Sequence, residues 1–405
     1  MIERPRQDAA LGIGFVLIYQ TAVVAAVQTA PVLAPFAALQ LGLDVDLVGL
    51  FTAIIFAMAL VSSTGTTGIV ARWGSFCGAS ASLATVALGA LALALADGPA
   101  LVVLGAVLIG IGYGPVNPIG SRLLNRIPLG QHRNLVFSFK QSSVAIGGAL
   151  AGFALPVIVL LSNWRVAAAV TMGLALLVSA MAPVVGRRLG HDGNPTASIR
   201  FKLPFAPARD VLADPAQRGL AIAVFAFSMA QFGFMSVYIA MIWRETNLPP
   251  EGAAAMLSLA MSTSIVGRLY WGWRADTGCP RQVLSWLAWS GVALLLIILS
   301  LGSTWPWLAI AGVSVALGFA PMGWSGVLLA EVARTGEARG GSSGVLTATA
   351  GSMVFAYLGG LSGPALLSIS VLATGSYTPG IICLAVAFGI CAVVLVQGPK
   401  SPGGT

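Results

Sequence analysis

The chain of 405 residues is 57% hydrophobic and only 8% charged, with a formal net charge of +8 and a mean hydropathy of +0.91. Soluble domains carry about 25% charged residues, so this composition excludes water as the solvent for most of the surface and implies a chain built for a bilayer. The basic residues form no dense run and no aromatic–basic motif, which argues against nucleic acid as a partner; in a membrane chain such an excess records orientation.

A helix needs about 20 mostly apolar residues to cross the hydrocarbon core. The first stretch of this kind covers 9–37 and follows a short charged head. It is too long for a signal-peptide core and reads as an uncleaved first span. Further stretches cover 47–70, 75–97, 99–121, 134–161 and 166–186. The longest polar interval, 187–218, reads as a cytoplasmic linker, after which apolar stretches resume at 219–243, 252–274, 282–303, 305–330, 341–371 and 376–397. The expectation is an all-α integral membrane protein with twelve transmembrane helices: a six-helix bundle over 1–186, the linker, and a second bundle over 219–405.

Alternating the loops from a cytoplasmic N-terminus puts seventeen of the 21 lysines and arginines on the inner side and only Arg165 and Arg244 on the outer side. That asymmetry places both termini in the cytoplasm, in the cell's inner membrane. His132 and His191 fall in inward loops, and the four cysteines lie far apart with no CxxC pair. No metal or cofactor is expected from them.

The chain repeats itself across half its length. "GIVARWG" (Gly68, Arg72, Gly74) follows span two, and "GWRADTG" (Gly272, Asp276, Gly278) follows span eight, 204 residues later. A half-length repeat with six spans per unit implies two similar bundles. With "GWRADTGCPR", in which Gly272, Asp276, Gly278 and Arg281 fall at the matching positions, the sequence resembles the major facilitator superfamily and its signature between spans two and three. The first-half copy keeps Gly68, Arg72 and Gly74 but has no acidic residue after Ala71. Span five carries Gly147, Gly148, Gly152 and Pro156, and span eleven carries "GGLSGP", Gly359–Pro364; both resemble the family's glycine–proline pattern. The resemblance implies alternating access, with Asp276 latching neighbouring helix ends, where a helix dipole would stabilise its carboxylate. The motif glycines are expected to serve tight turns and close helix approach. Glu331 and Arg334, three residues apart at the end of span ten, read as a surface ion pair.

Charges within spans are costly and usually face protein or water. Lys140 in span five and Arg268 in span eight are the two clear cases. Snorkelling of these long side chains toward the surface is the competing reading. The family architecture implies that spans five and eight meet, and two cations meeting there would call for an anion between them. Arg268 also resembles an arginine with which some family members bind carboxylates. None of the thirteen acidic residues lies in the middle of a span, which argues against a cationic substrate. Neutral polar groups complete the candidate lining: Tyr113, Asn117 and Ser121 at i, i+4, i+8 in span four, Gln231 and Tyr238 in span seven, and Gln20 and Gln28 in span one.

The resulting expectation is a secondary transporter of a small organic anion, acting as a monomer and using a coupling proton or a counter-substrate. A drug or metabolite exporter of the same fold is the alternative. A polytopic enzyme or a non-transporting receptor is a weaker one, because no catalytic grouping is visible.

Overall fold

Within hydrocarbon, each backbone N–H and C=O needs a partner inside the protein, and for a single span this means a helix. The computed structural model describes residues 3–125, 133–190, 192–197 and 205–397. His132 and His191 lie outside the described residues, as do Arg126, Arg200, Lys202 and Lys400.

Helices α1 (Glu3–Ala37), α2 (Val48–Trp73), α3 (Ser75–Ala94), α4 (Pro99–Tyr113), α5 (Val116–Asn125), α6 (Arg133–Leu161) and α7 (Trp164–Leu189) come first in the chain. They are followed by α8 (Phe205–Ala213), α9 (Pro215–Glu245), α10 (Pro250–Asp276), α11 (Pro280–Ile298), α12 (Trp307–Phe319), α13 (Trp324–Thr374) and α14 (Thr378–Gln397). No strand occurs among the described residues. Among the described residues, twelve segments are long and apolar enough to cross a membrane, the number expected from hydropathy.

Two spans are interrupted. Span four breaks between α4 and α5 at Gly114 and Pro115, where proline removes a backbone donor. Span ten begins in α12, turns through Pro321–Gly323, and continues into α13. Spans ten and eleven then share α13, whose only non-helical residues are Gly340 (φ −151°) and Gly341 (φ 56°). Glycine is the residue that takes such a positive φ without penalty, so the chain reverses here without a polar loop. Gly336 and Gly344 lie across the turn with their backbones in contact; a Cβ on Gly336 would come within 2.6 Å of the Gly344 carbonyl.

The chain divides into two compact units, Met1–Val45 with Ile54–Leu203, and Asp46–Ala53 with Pro204–Thr405. In the first unit α3 packs on α4 and α7, and α1 runs along α6. Gly147 lets that last pair approach closely, since a Cβ there would sit 2.8 Å from the Thr21 carbonyl. In the second unit α9 is the most enclosed span, and α13 lies along it. A Cβ on Gly363 would collide with the Met229 backbone carbonyl. Small residues at such crossings are how helices gain van der Waals contact in lipid. Asn163 caps α7 by accepting from Val166 N at 3.0 Å. Asp214 does the same for α9 through Ala216 N at 2.9 Å, with Pro215 suited to the first helical position.

Candidate functional site

In the first unit the structure gathers several of the polar residues singled out in the sequence. Lys140 on α6 is 4% exposed. Its ammonium donates to Asn117 Oδ1 and Ser121 Oγ on α5, each at 3.2 Å. Gly120 makes room for it: a Cβ there would lie 3.0 Å from Lys140 Cε and 3.3 Å from Val16 of α1. No carboxylate pairs with Lys140 among the described residues. An ammonium has three protons to donate, and these two bonds use two. On α1, Gln20 and Gln28 are both buried, and Gln20 Oε1 has no hydrogen-bond partner. Ser143, one turn beyond Lys140, is also buried with its hydroxyl unmatched. Tyr113 lies on the other side of the Gly114–Pro115 break and packs edge-on against Phe56.

In the second unit Arg268 on α10 is 3% exposed and its Nε donates to the Met322 carbonyl at 3.5 Å. Neither Lys140 nor Arg268 therefore extends its charge to the surface. Gln231 Oε1 accepts from Trp324 Nε1 at 2.7 Å, and the Trp324 ring stacks on Phe227. Gln231 and Phe227, with Phe234, Pro321 and Met322, border a small cavity of about 10 Å³, room for one water. Tyr238 is buried and its hydroxyl shares a 2.8 Å hydrogen bond with Ser314.

The repeated motif behaves differently in the two units. In the first, Gly74 holds φ 87° as the residue before α3, so the turn itself requires glycine. Gly68 lies inside α2, and Arg72 in its last turn is exposed. The acid missing after Ala71 has a counterpart elsewhere: Asp192, just past α7, accepts from Ser75 N at 2.7 Å, Ser75 Oγ at 2.5 Å and Arg122 Nε at 3.0 Å. Burial alone would raise its pKa, but the Ser75 hydroxyl and N–H, together with Arg122, outweigh that and hold the carboxyl below its usual range. In the second unit Asp276 is exposed at the end of α10 and makes no ion pair among the described residues. The expected role of Gly272 in a close approach or turn is not met. It lies inside α10, and a Cβ there would meet nothing within 4 Å. A Cβ on Gly278 would meet Arg274 alone, its flexible side-chain end at 3.1 Å and its backbone carbonyl at 3.3 Å.

Glu331 and Arg334 do pair, but not as a surface contact. The Glu331 side chain is 1% exposed and accepts from Arg334 at 2.8–2.9 Å and from the 7%-exposed Arg281 at 3.4 Å. Arg281 also donates to Ala216 O of α9 at 3.0 Å. The reason for the difference is local. Span ten does not end near residue 330 but continues to the Gly340–Gly341 reversal, carrying Glu331 into the packed interior.

Comparison with known families settles the chain's membership. The Major Facilitator Superfamily model matches residues 11–240, more than half of the chain. The chain belongs to the major facilitator superfamily. No curated protein sequence matches it. Solved structures of similar fold include a Glu-to-Gln mutant of the peptide transporter POT, with a TM-score of 0.73 at 14% identity, covering 97% of each chain. The same mutant in complex with sulfate gives 0.72 at 15%, and in complex with alafosfalin 0.70 at 15%, each again covering 97% of both chains. At this identity the likeness concerns the fold. Superfamily membership makes this a multi-pass membrane transporter, whose substrate is a small molecule.

Some well-connected residues of this superfamily member escape a reading by hydropathy. Asp46 looks like an outer loop acid. In the structure it is buried, and its carboxylate is bonded by Arg244 and by the Tyr377 hydroxyl, while Ser368 bonds its carbonyl. Burial, followed by the hydrogen bond to Asp46, raises the Tyr377 phenol well above its ordinary pKa. Ser143 and Asp192 carry no motif at all. The one available signal was that Ser143 stands one turn from Lys140.

Proposed function

We propose that this superfamily member is a secondary active transporter of a small organic anion, working by alternating access. The observation that carries the reading is Lys140, a buried ammonium held by two neutral oxygens with no carboxylate beside it among the described residues. A buried charge without a counter-ion is costly, and an anionic substrate arriving at the third N–H would offset that cost. Arg268 is the candidate for the same chemistry in the second unit, with a planar fork suited to a carboxylate. Asn117 and Ser121 orient Lys140; Gln20, Gln28 and Tyr113 are the further candidate contacts in the first unit, and Gln231 and Tyr238 those in the second. The reading includes a cytoplasmic membrane location with both termini and the 187–218 linker cytoplasmic, a monomer, and a coupling proton or exchanged counter-substrate.

The test is binding and proteoliposome uptake of a panel of labelled carboxylates. Removing one charge-assisted hydrogen bond costs about 1.5–3 kcal/mol, or roughly 10- to 150-fold in affinity. Folded Lys140→Gln should show a loss of that size for every carboxylate that binds, and Arg268→Lys a partial loss. Parent-like binding in Lys140→Gln and Arg268→Gln together would refute the anion reading.

A further inference from the structure

Lys140 is not the only incomplete group in its neighbourhood. Val16 and Lys140 meet at Gly120, while further along the same two helices Thr21 and Val24 meet Gly147. Helices α1 and α6 therefore advance in the same direction, and Gln20 and Ser143 occupy the layer between those two contacts. Gln20 stands one turn beyond Val16, and Ser143 three residues, or about 4.5 Å of rise, beyond Lys140. Both side chains are more than nine-tenths buried. In both, an oxygen goes without a partner, although buried polar groups are nearly always hydrogen-bonded. An amide oxygen can only accept, and a serine hydroxyl can do either.

We infer that the substrate is a 2-hydroxy carboxylate, with its carboxylate at Lys140 and its hydroxyl between Gln20 Oε1 and Ser143 Oγ. This rests on the anion reading of Lys140 and narrows it. A plain carboxylate would satisfy the ammonium and leave the adjoining layer unmatched. A hydroxyl one carbon from the carboxylate donates to Gln20 and accepts from Ser143, filling both vacancies within the reach of a single helical turn. A 2-ammonium group would supply donors too. It would, however, bring a second positive charge beside Lys140, in a layer where no described carboxylate pairs with either. The neutral donor is the better match.

The experiment compares acid pairs differing only in the hydroxyl, glycolate with acetate and malate with succinate, by calorimetric binding to the purified full chain. Glycine serves as the ammonium counterpart. A site built to bond a hydroxyl discriminates strongly against its absence, and the expected preference for the hydroxylated member is about 10- to 100-fold. Gln20→Met and Ser143→Ala should each shrink that ratio, because the hydroxylated member of each pair loses more affinity than the plain acid. Lys140→Gln should weaken both members of a pair alike. Equal binding of the pairs by the unmodified protein, or glycine binding as tightly as glycolate, overturns the hydroxyl assignment and leaves the anion reading standing. Binding of no carboxylate overturns both. The comparison on the unmodified protein holds even if a variant fails to fold.

Discussion

The triad of Arg281, Glu331 and Arg334, enclosed at Arg281 and Glu331 and open at Arg334, makes a sharp demand on stability. Replacing Glu331 with Gln keeps shape and volume but removes the one negative charge among three groups. At 3.4 Å and an effective dielectric of about 20, the Arg281–Glu331 attraction is worth about 5 kcal/mol. Part of that is already offset by desolvation, and the measured cost of orphaning a buried partner is about 3–5 kcal/mol. Arg281 is the group orphaned, because it is nearly enclosed and retains only the Ala216 carbonyl. Arg334 is 43% exposed, so water replaces its lost partner, and Arg334→Gln should cost about 1 kcal/mol or less. Thermal unfolding in detergent, followed by intrinsic tryptophan fluorescence, reads the difference. For a unit of roughly 200 residues each kcal/mol moves Tm by about 2–4 °C. Glu331→Gln should therefore lower Tm by roughly 6–20 °C and Arg334→Gln by about 4 °C or less. Similar small shifts for both would show that Arg281 finds other solvation and that burial does not govern the triad.

Two further predictions use other parts of the chain. Asp192 has a depressed pKa, so its contribution is present above the usual carboxylate range and is lost as pH falls through the lower folded-state value; hydrogen-exchange protection at the start of α3, corrected for the intrinsic exchange rate at each pH, should fall on acidification, and Asp192→Asn should show that reduced protection already at neutral pH. Gly363→Ala should cost about 1–3 kcal/mol because its Cβ meets the rigid Met229 backbone, whereas Gly272→Ala, in open space inside a helix, should stabilise by about 0.5–1 kcal/mol; chemical denaturation of the two variants should move in opposite directions.

Much of the architecture could be read from one dimension, because a span is a local property: twenty apolar residues cross lipid wherever their neighbours sit. The polar line of Asn117 and Ser121 was visible for the same reason, as i, i+4 spacing on one face. What brings Lys140 to that line is a contact between α5 and α6, made possible by Gly120, and no local pattern announces it. Asp46 and Glu331 both stand near the edge of an apolar stretch, where a charge looks solvated. Both are buried by partners at distant positions, Arg244 and Tyr377 for one and Arg281 for the other. Asp192 stands in for an acid that the repeat led one to seek after Ala71, and the substitution comes from a segment about 120 residues away.

The two-glycine reversal in α13 leaves that connection with no slack. Elsewhere a surface loop can absorb an epitope tag, a protease site or a fluorescent reporter, since added residues merely lengthen an exposed path. Here the flanking backbones touch at Gly336 and Gly344, one turn below the exposed Gly340–Gly341 tip, so inserted residues would load a close helix crossing and not a free loop. Spans ten and eleven are accordingly one hairpin, joined through the Gly340–Gly341 tip and by the close crossing beneath it. Reporter insertions meant to map the topology of this transporter belong in its other connections, and loss of protein on inserting after Gly340 would mark the rigidity of the hairpin rather than the side of the membrane on which it lies.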